Sequence, residues 1–298
     1  MKIQGVIVPM LTPLTESGQV DRSGVVGLVE FLIARGIAGL FPLGTTGEGP
    51  LFSYEARRQT AAWVVEAADG RVPVIVHTGC ITTADTLALT RHAREIGADA
   101  VAIVPPYFYR LDEQALIAHY ATVARAVPDL PIYLYNNPGV TSNLLTTDIV
   151  TQLAGNFPNI VGLKDSHSSL ATLFASRSLQ AGAFNTASGS DALILAGQAL
   201  GLDACVSGNA NYAPELVVGL WEAAHHGKLE EARKLQTQLD VARHVLGDGA
   251  DLSLFKAMCA RRGVPVGDVL PPLPKAPPDL IESCWETLML TGIDLPPA

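Results

Sequence analysis

Charge is what this sequence has least of. Asp, Glu, Lys and Arg make up 16% of the 298 residues, and the 20 Lys and Arg residues form no cluster. With a net charge of −9, the chain lacks the basic stripe that nucleic acid or an anionic membrane surface would require. Cysteine is sparse too. Cys80, Cys205, Cys259 and Cys284 lie far apart and form no C-x-x-C pair, which excludes a zinc knuckle or redox couple of that spacing and leads us to expect a reduced, cytoplasmic chain. The seven histidines include no H-E-x-x-H, and the adjacent His225 and His226 would point to different helix faces, so no metal is expected. No apolar run approaches the roughly 20 residues that span a bilayer. The opening MKIQGVIVPMLTP carries one Lys and no small-residue cleavage site, which favours a buried strand end over a secretory leader. What the chain does have is core material: 48% of its residues are apolar, far too many for disorder.

The apolar residues come in short β-rich runs that alternate with helix-period segments. Strand-like runs begin at Gly5, Gly39, Pro73, Ala100, Pro131, Asn159, Phe184 and Ala204. Helical segments follow them at 21–36, 53–69, 83–96, 112–126, 146–153, 169–179, 191–200 and 214–226, with Asp21 and Ser53 placed as N-caps. That makes eight βα units whose strands start 20 to 34 residues apart. Parallel neighbours need a crossover helix, so the fold class is α/β with a parallel sheet. Eight units are what a closed (β/α)₈ TIM barrel requires. The rival is an open doubly wound sheet, but no G-x-G-x-x-G follows the first strand. Residues 1–227 are expected to form the barrel and 228–298 a C-terminal extension of about three helices, with Pro-rich 264–278 as the loop between the last two.

Active sites of such barrels lie at the C-terminal ends of the strands. Four apolar runs end in chemistry-bearing residues: Gly44-Thr45-Thr46-Gly47-Glu48, Tyr133-Leu-Tyr135-Asn-Asn-Pro138, Lys164-Asp-Ser166 and Ser188-Gly189-Ser190-Asp191. Of only six lysines, Lys164 alone ends a β-rich run. Strand alternation would put it on one face with Gly162 and Ile160, the glycine leaving room for a substrate. Burial disfavours a charged amine, and a neutral amine attacks a carbonyl to form a Schiff base. The plain alternative is a lysine reaching out of the barrel mouth to a carboxylate. Tyr135 ends the neighbouring strand, where a phenol could relay protons or simply fill the barrel core. The turn at Thr45 and Thr46 offers backbone N–H groups to a carboxylate, or is an ordinary connection, with Glu48 bracing it.

Taken together, Gly44-Thr-Thr-Gly-Glu48, Tyr135-Asn-x-Pro138, Gly162-x-Lys164-Asp-Ser166, Val104-Pro-Pro-Tyr-Phe108, Ser188-Gly-Ser-Asp191 and Asn211-Tyr-Ala-Pro214 are specific. Their order and spacing resemble the dihydrodipicolinate synthase / N-acetylneuraminate lyase family of Schiff-base aldolases over nearly the whole chain. The resemblance implies an imine between Lys164 and the 2-keto carbon of pyruvate. It implies that Thr45, Thr46 and Gly47 hold the carboxylate and that Tyr135, with Thr46, relays protons. It further implies no cofactor beyond the covalent imine, pyruvate and an aldehyde as partners, and a homotetramer built as a pair of dimers. Three departures narrow the reaction. Val140 stands where the synthases of this family carry an Arg for the carboxylate of aspartate semialdehyde, and Phe108 where they carry a second Tyr. Ala192 stands where neuraminate lyases carry a Glu. What remains is the branch that handles 2-keto-3-deoxy sugar acids, with Ser166, Ser188, Gly189, Ser190, Asp191, Val206 and Ser207 expected around a polyol tail. Dihydrodipicolinate synthase or a dehydratase using the same lysine is the alternative within the family. A non-catalytic barrel serving as sensor or scaffold is the alternative outside it.

Overall fold

Each of the eight apolar runs becomes a parallel strand in the computed structural model, which describes residues 2–167, 169–249 and 251–297. Met1, Ser168, Ala250 and Ala298, which fall within the expected domain ranges, lie outside the described residues. The strands are β1 Gly5–Val8, β2 Gly39–Leu40, β3 Ile75–His77, β4 Ala100–Ile103, β5 Ile132–Asn136, β6 Ile160–Asp165, β7 Asn185–Ser188 and β8 Ala204–Val206. The helices are α1 Arg22–Ala34, α2 Tyr54–Ala68, α3 Thr83–Glu95, α4 Glu113–Ala126, α5 Pro138–Thr141, α6 Thr147–Asn156, α7 Ala171–Ser176, α8 Ile194–Ala199, α9 Pro214–His225, α10 Leu229–Val245, α11 Leu252–Arg261 and α12 Pro278–Leu290.

The strand order β2-β1-β8-β7-β6-β5-β4-β3 runs once around the molecule, and a parallel bridge from Leu40 to Val74 brings its two ends together. The result is the (β/α)₈ barrel that the spacing called for. Helix starts follow the sequence closely, because Asp21, Ser53, Thr82, Asp112 and Thr146 each accept a first-turn N–H. A cap of this kind contributes about 1 kcal/mol. Alternation then sorts the strand residues. Ile7, Phe41, Ile75, Ala102, Tyr133, Tyr135, Ala187 and Val206 fill the interior. Val8, Leu40, Val76, Val101, Leu134 and Leu163 join the layer beneath the helices.

Strand β6 departs from strict alternation. Ile132 pairs with Ile160 but Tyr133 pairs with Gly162, so Val161 is an extra residue, a β-bulge. The bulge turns Ile160 into the outer layer instead of sharing the interior face of Lys164. Gly162 does lie below Lys164, but its space is taken. A Cβ there would come within 2.5 Å of Tyr133 Cε1 and 2.8 Å of Asn185 O. The missing side chain admits the Tyr133 ring, whose hydroxyl donates to Asn185 Oδ1 at 2.8 Å, and leaves no room there for a substrate.

The helices after β6 and β7 are shorter than the sequence suggests. Gln180 and Ala181 take left-handed φ values of 52° and 56°, which kinks the chain after α7 and ends the helical segment early. After β7, Asp191–Leu193 forms a 3₁₀ turn before α8. The three C-terminal helices and the loop 264–277 stand where expected, with α10 packed against α8 and α9 and α11 against α12.

Candidate active site

The two residues that end β5 and β6 meet directly. Tyr135 and Lys164 are register partners, and both are buried, at 2% and 6% exposure. Lys164 Nζ sits 3.9 Å from the centre of the Tyr135 ring and 4.4 Å from that of Phe41. Aromatic faces stabilise a cation at such distances and are indifferent to a neutral amine. Asn137 Nδ2 donates to the Tyr135 hydroxyl at 3.1 Å, and Thr45 Oγ1 lies 3.3 Å from it. Burial pushes this phenol up, but the Lys164 charge and the Thr45 and Asn137 hydrogen bonds outweigh it, so Tyr135 ionises below its ordinary range.

The loop carrying Thr45 and Thr46 is wound too tightly for ordinary residues. Leu43 and Glu48 have left-handed φ values of 65° and 55°. A Cβ on Gly49 would fall 1.8 Å from Leu43 O, and one on Gly47 2.8 Å from Met10 O. Glu48 braces the loop, and its partner comes from α11. Lys256 Nζ lies 2.7 Å from Glu48 Oε1, and both side chains are buried at 1% exposure or less. Lys256 also donates to Thr12 O at 2.9 Å and Asp268 O at 2.7 Å, while Glu48 Oε2 accepts from Leu270 N at 2.7 Å. With three acceptors around it, this second buried lysine is held as a structural cation.

Above Lys164 opens a cavity of about 280 Å³, whose wall includes Thr45, Thr46, Tyr135, Ser166, Gly189, Ser190, Asp191 and Val206. A second cavity of about 500 Å³ shares Thr45 and Thr46 and adds His77, Tyr107 and Val140. The barrel thus brings most of the anticipated residues to one mouth. Gly47, Ser188 and Ser207 are fully buried and contribute to neither wall. Phe108 points away, 82% exposed. Asp191 Oδ2 accepts from Asn209 Nδ2 at 2.5 Å, and burial pushes this carboxyl up against the pull of Ser207 and Asn209.

The sequence reading missed several wall residues. His77 ends β3 as a polar residue after an apolar run, the same signal that singled out Lys164. Its Nδ1 lies 3.0 Å from Leu43 O, so that nitrogen donates, and its ring meets Tyr135 edge-on at 5.8 Å. Burial above all, then the charges of Arg57 and Lys164, hold the imidazole well below its ordinary range, and it stays neutral. Asn137, Gly208, Arg243, Asp248 and Phe255 also line the Lys164 cavity. Among the described residues, no group of three or more His, Cys, Asp or Glu could hold a metal ion.

Residues 2–284 match the model of the dihydrodipicolinate synthetase family. The chain is 36% identical over 272 residues to a DapA-like lyase of Halobacterium salinarum, covering 91% of this chain and 88% of the relative. It is 39% identical over 236 residues to the 4-hydroxy-tetrahydrodipicolinate synthase of Phenylobacterium zucineum, covering 79% of each. Among solved structures it is similar to YagE, a prophage protein of E. coli K12 in complex with pyruvate, with a TM-score of 0.92, 31% identity and coverage of 98% and 99%. It is also similar to the dihydrodipicolinate synthase of Aquifex aeolicus, with a TM-score of 0.91, 32% identity and the same coverage. The chain belongs to the dihydrodipicolinate synthetase family. It is a carbon–carbon lyase of the class I aldolase type, the class that works through a pyruvate Schiff base on a lysine.

Proposed function

We propose that this enzyme reversibly splits a 2-keto-3-deoxy sugar acid, or a similar 2-oxo acid, into pyruvate and an aldehyde, with Lys164 as the Schiff-base lysine. The observation that carries the assignment is Lys164 itself: buried at the base of a cavity, beside a phenol that ionises below its ordinary range. The Lys164 amine attacks the 2-keto carbon and water leaves, giving an imine. Tyr135 takes the proton of the C4 hydroxyl through Thr45 or Thr46. The C3–C4 bond breaks and its electrons pass to the imine nitrogen, releasing the aldehyde and leaving an enamine. Protonation at C3 and hydrolysis return pyruvate and the free lysine. Thr45 and Thr46, on the tightly wound loop, hold the C1 carboxylate. Ser166, Gly189, Ser190, Asp191 and Val206 surround the tail.

Val140 supports a neutral tail. It lines the outer cavity where a carboxylate-binding cation would be needed, and Arg110 is exposed and in neither wall. Arg243 does reach the inner cavity, but Asp191 and Asp248 stand in the same wall. A carboxylate left without a charged hydrogen bond forfeits about 1.5–3 kcal/mol, roughly ten- to 150-fold in affinity. We expect kcat/KM for pyruvate plus a polyhydroxylated aldehyde to exceed that for pyruvate plus aspartate semialdehyde by a factor in that range. The names of several relatives favour the second reading, 4-hydroxy-tetrahydrodipicolinate synthase. Steady-state kinetics showing the reverse preference would put that reading in place of ours.

A homotetramer built as a pair of dimers belongs to the same proposal. Phe108, Tyr109, Val140 and Leu144 are exposed apolar residues. Their two loops are tied together by Asn143, which donates to Pro106 O at 2.7 Å and Tyr109 O at 2.8 Å. Four buried free cysteines fit the reduced cytoplasm.

A further inference from the structure

Arg243 belongs to the C-terminal extension, yet it lines the cavity of Lys164. We infer that Arg243 is a specificity-determining residue, donating from α10 to a hydroxyl of the substrate's tail. This rests on the aldolase reading above and names the residue by which the same site would choose its aldehyde.

Three residues of α10 at positions 236, 240 and 243 share one helix face. Gln236 Nε2 donates to Asp191 O at 2.9 Å, and its Oε1 accepts from Leu195 N at 3.2 Å. Asp240 Oδ1 then accepts from Gln236 Nε2 at 3.3 Å and from Arg243 Nη1 at 3.3 Å. A continuous chain therefore runs from the Asp191 turn to the guanidinium. It sets Arg243 against the same wall that carries Asp191.

The guanidinium has donors to spare. Asp240 is its one acceptor among the described residues, and a guanidinium carries five N–H groups. Its side chain is 22% exposed, so it is reachable from the cavity yet partly withdrawn from water. Asp191 supplies the complementary half. It is half-buried in the same wall, and its buried Oδ1 has no hydrogen-bond partner among the described residues. A hydroxyl both donates and accepts. A donor fork and a carboxylate on one wall therefore suit adjacent hydroxyls of a polyol. A second carboxylate or a phosphate on the tail fits less well, because the same wall carries the carboxylates of Asp191 and Asp248 and Arg243 already meets Asp240.

The test compares two aldehydes with pyruvate as donor: glyceraldehyde, which carries two hydroxyls, and propanal, which carries none. Arg243→Met keeps the length of the side chain and removes its donors. The ratio of kcat/KM for glyceraldehyde over propanal should fall about tenfold or more, and Arg243→Lys should recover part of it. A ratio that does not move in Arg243→Met would overturn the inference. So would a wild-type preference for glyceraldehyde 3-phosphate over glyceraldehyde that disappears in Arg243→Met, because the residue would then be an anion site. Absence of any aldol product and of any borohydride-trapped pyruvate adduct in the wild type would sink the aldolase reading itself, and this inference with it.

Discussion

Tyr135→Phe should lower kcat by about 10²–10⁴-fold, the span that positioned acid–base groups contribute, while the protein melts close to the wild-type temperature. The ring does the packing and the hydroxyl does the chemistry, and the substitution separates them. Phe41 and His77 contact the ring edge-on at 5.6 and 5.8 Å, contacts a phenylalanine retains. The hydroxyl hydrogen-bonds Thr45 and Asn137, at 3.3 and 3.1 Å, and stands beside the Lys164 amine. Thr45 stands at the open cavity wall, where water can replace the lost partner, so the stability cost is about 1 kcal/mol. KM for pyruvate should move far less than kcat, since the carboxylate is held elsewhere. Steady-state kinetics together with a thermal melt check the prediction. An unchanged kcat would make Tyr135 a packing residue of the barrel.

The second large effect falls on stability. Lys256→Ala should cost about 3–5 kcal/mol, because removing one member of a buried ion pair leaves the other charge uncompensated. Glu48 would keep a single N–H, that of Leu270, for a carboxylate whose side chain is fully buried. The loop that Glu48 anchors carries Thr45 and Thr46, so activity should fall along with stability. Replacing both partners, as Glu48→Gln with Lys256→Met, should recover part of the loss, since no buried charge then stands alone. Denaturant unfolding measures both variants. A loss below about 1 kcal/mol in Lys256→Ala would mean that the pair does not hold the loop.

Periodicity made the barrel legible, because each strand is a short apolar run, four of which end in chemistry-bearing residues, and α1, α2, α3, α4 and α6 each open on a capping side chain. Lys164 and Tyr135 were legible for the same reason. The bulge at Val161 left no trace: Ile160 and Val161 are both apolar, and an extra residue in an apolar run breaks no pattern. Gly162 was therefore read as space for a substrate when it is space for Tyr133. The ends of α7 and α8 escaped because Gln180 and Ala181 carry no signature of left-handed backbone. His77 carried the same signal as Lys164 and was passed over. Lys256 and Arg243 were beyond reach. One looks like an ordinary helix lysine and the other like an ordinary solvent charge, until the chain folds back and sets them against Glu48 and Asp191.

The most direct measurement of the central claim is reduction with borohydride in the presence of pyruvate, followed by peptide mapping. If Lys164 forms the imine, reduction fixes it as a secondary amine, activity is lost irreversibly, and the added pyruvate-derived mass sits on the peptide containing Lys164. Lys256, the other buried lysine, should stay unmodified, because its ammonium is held by Glu48, Thr12 and Asp268. An adduct on any other lysine, or none at saturating pyruvate, would contradict the assignment.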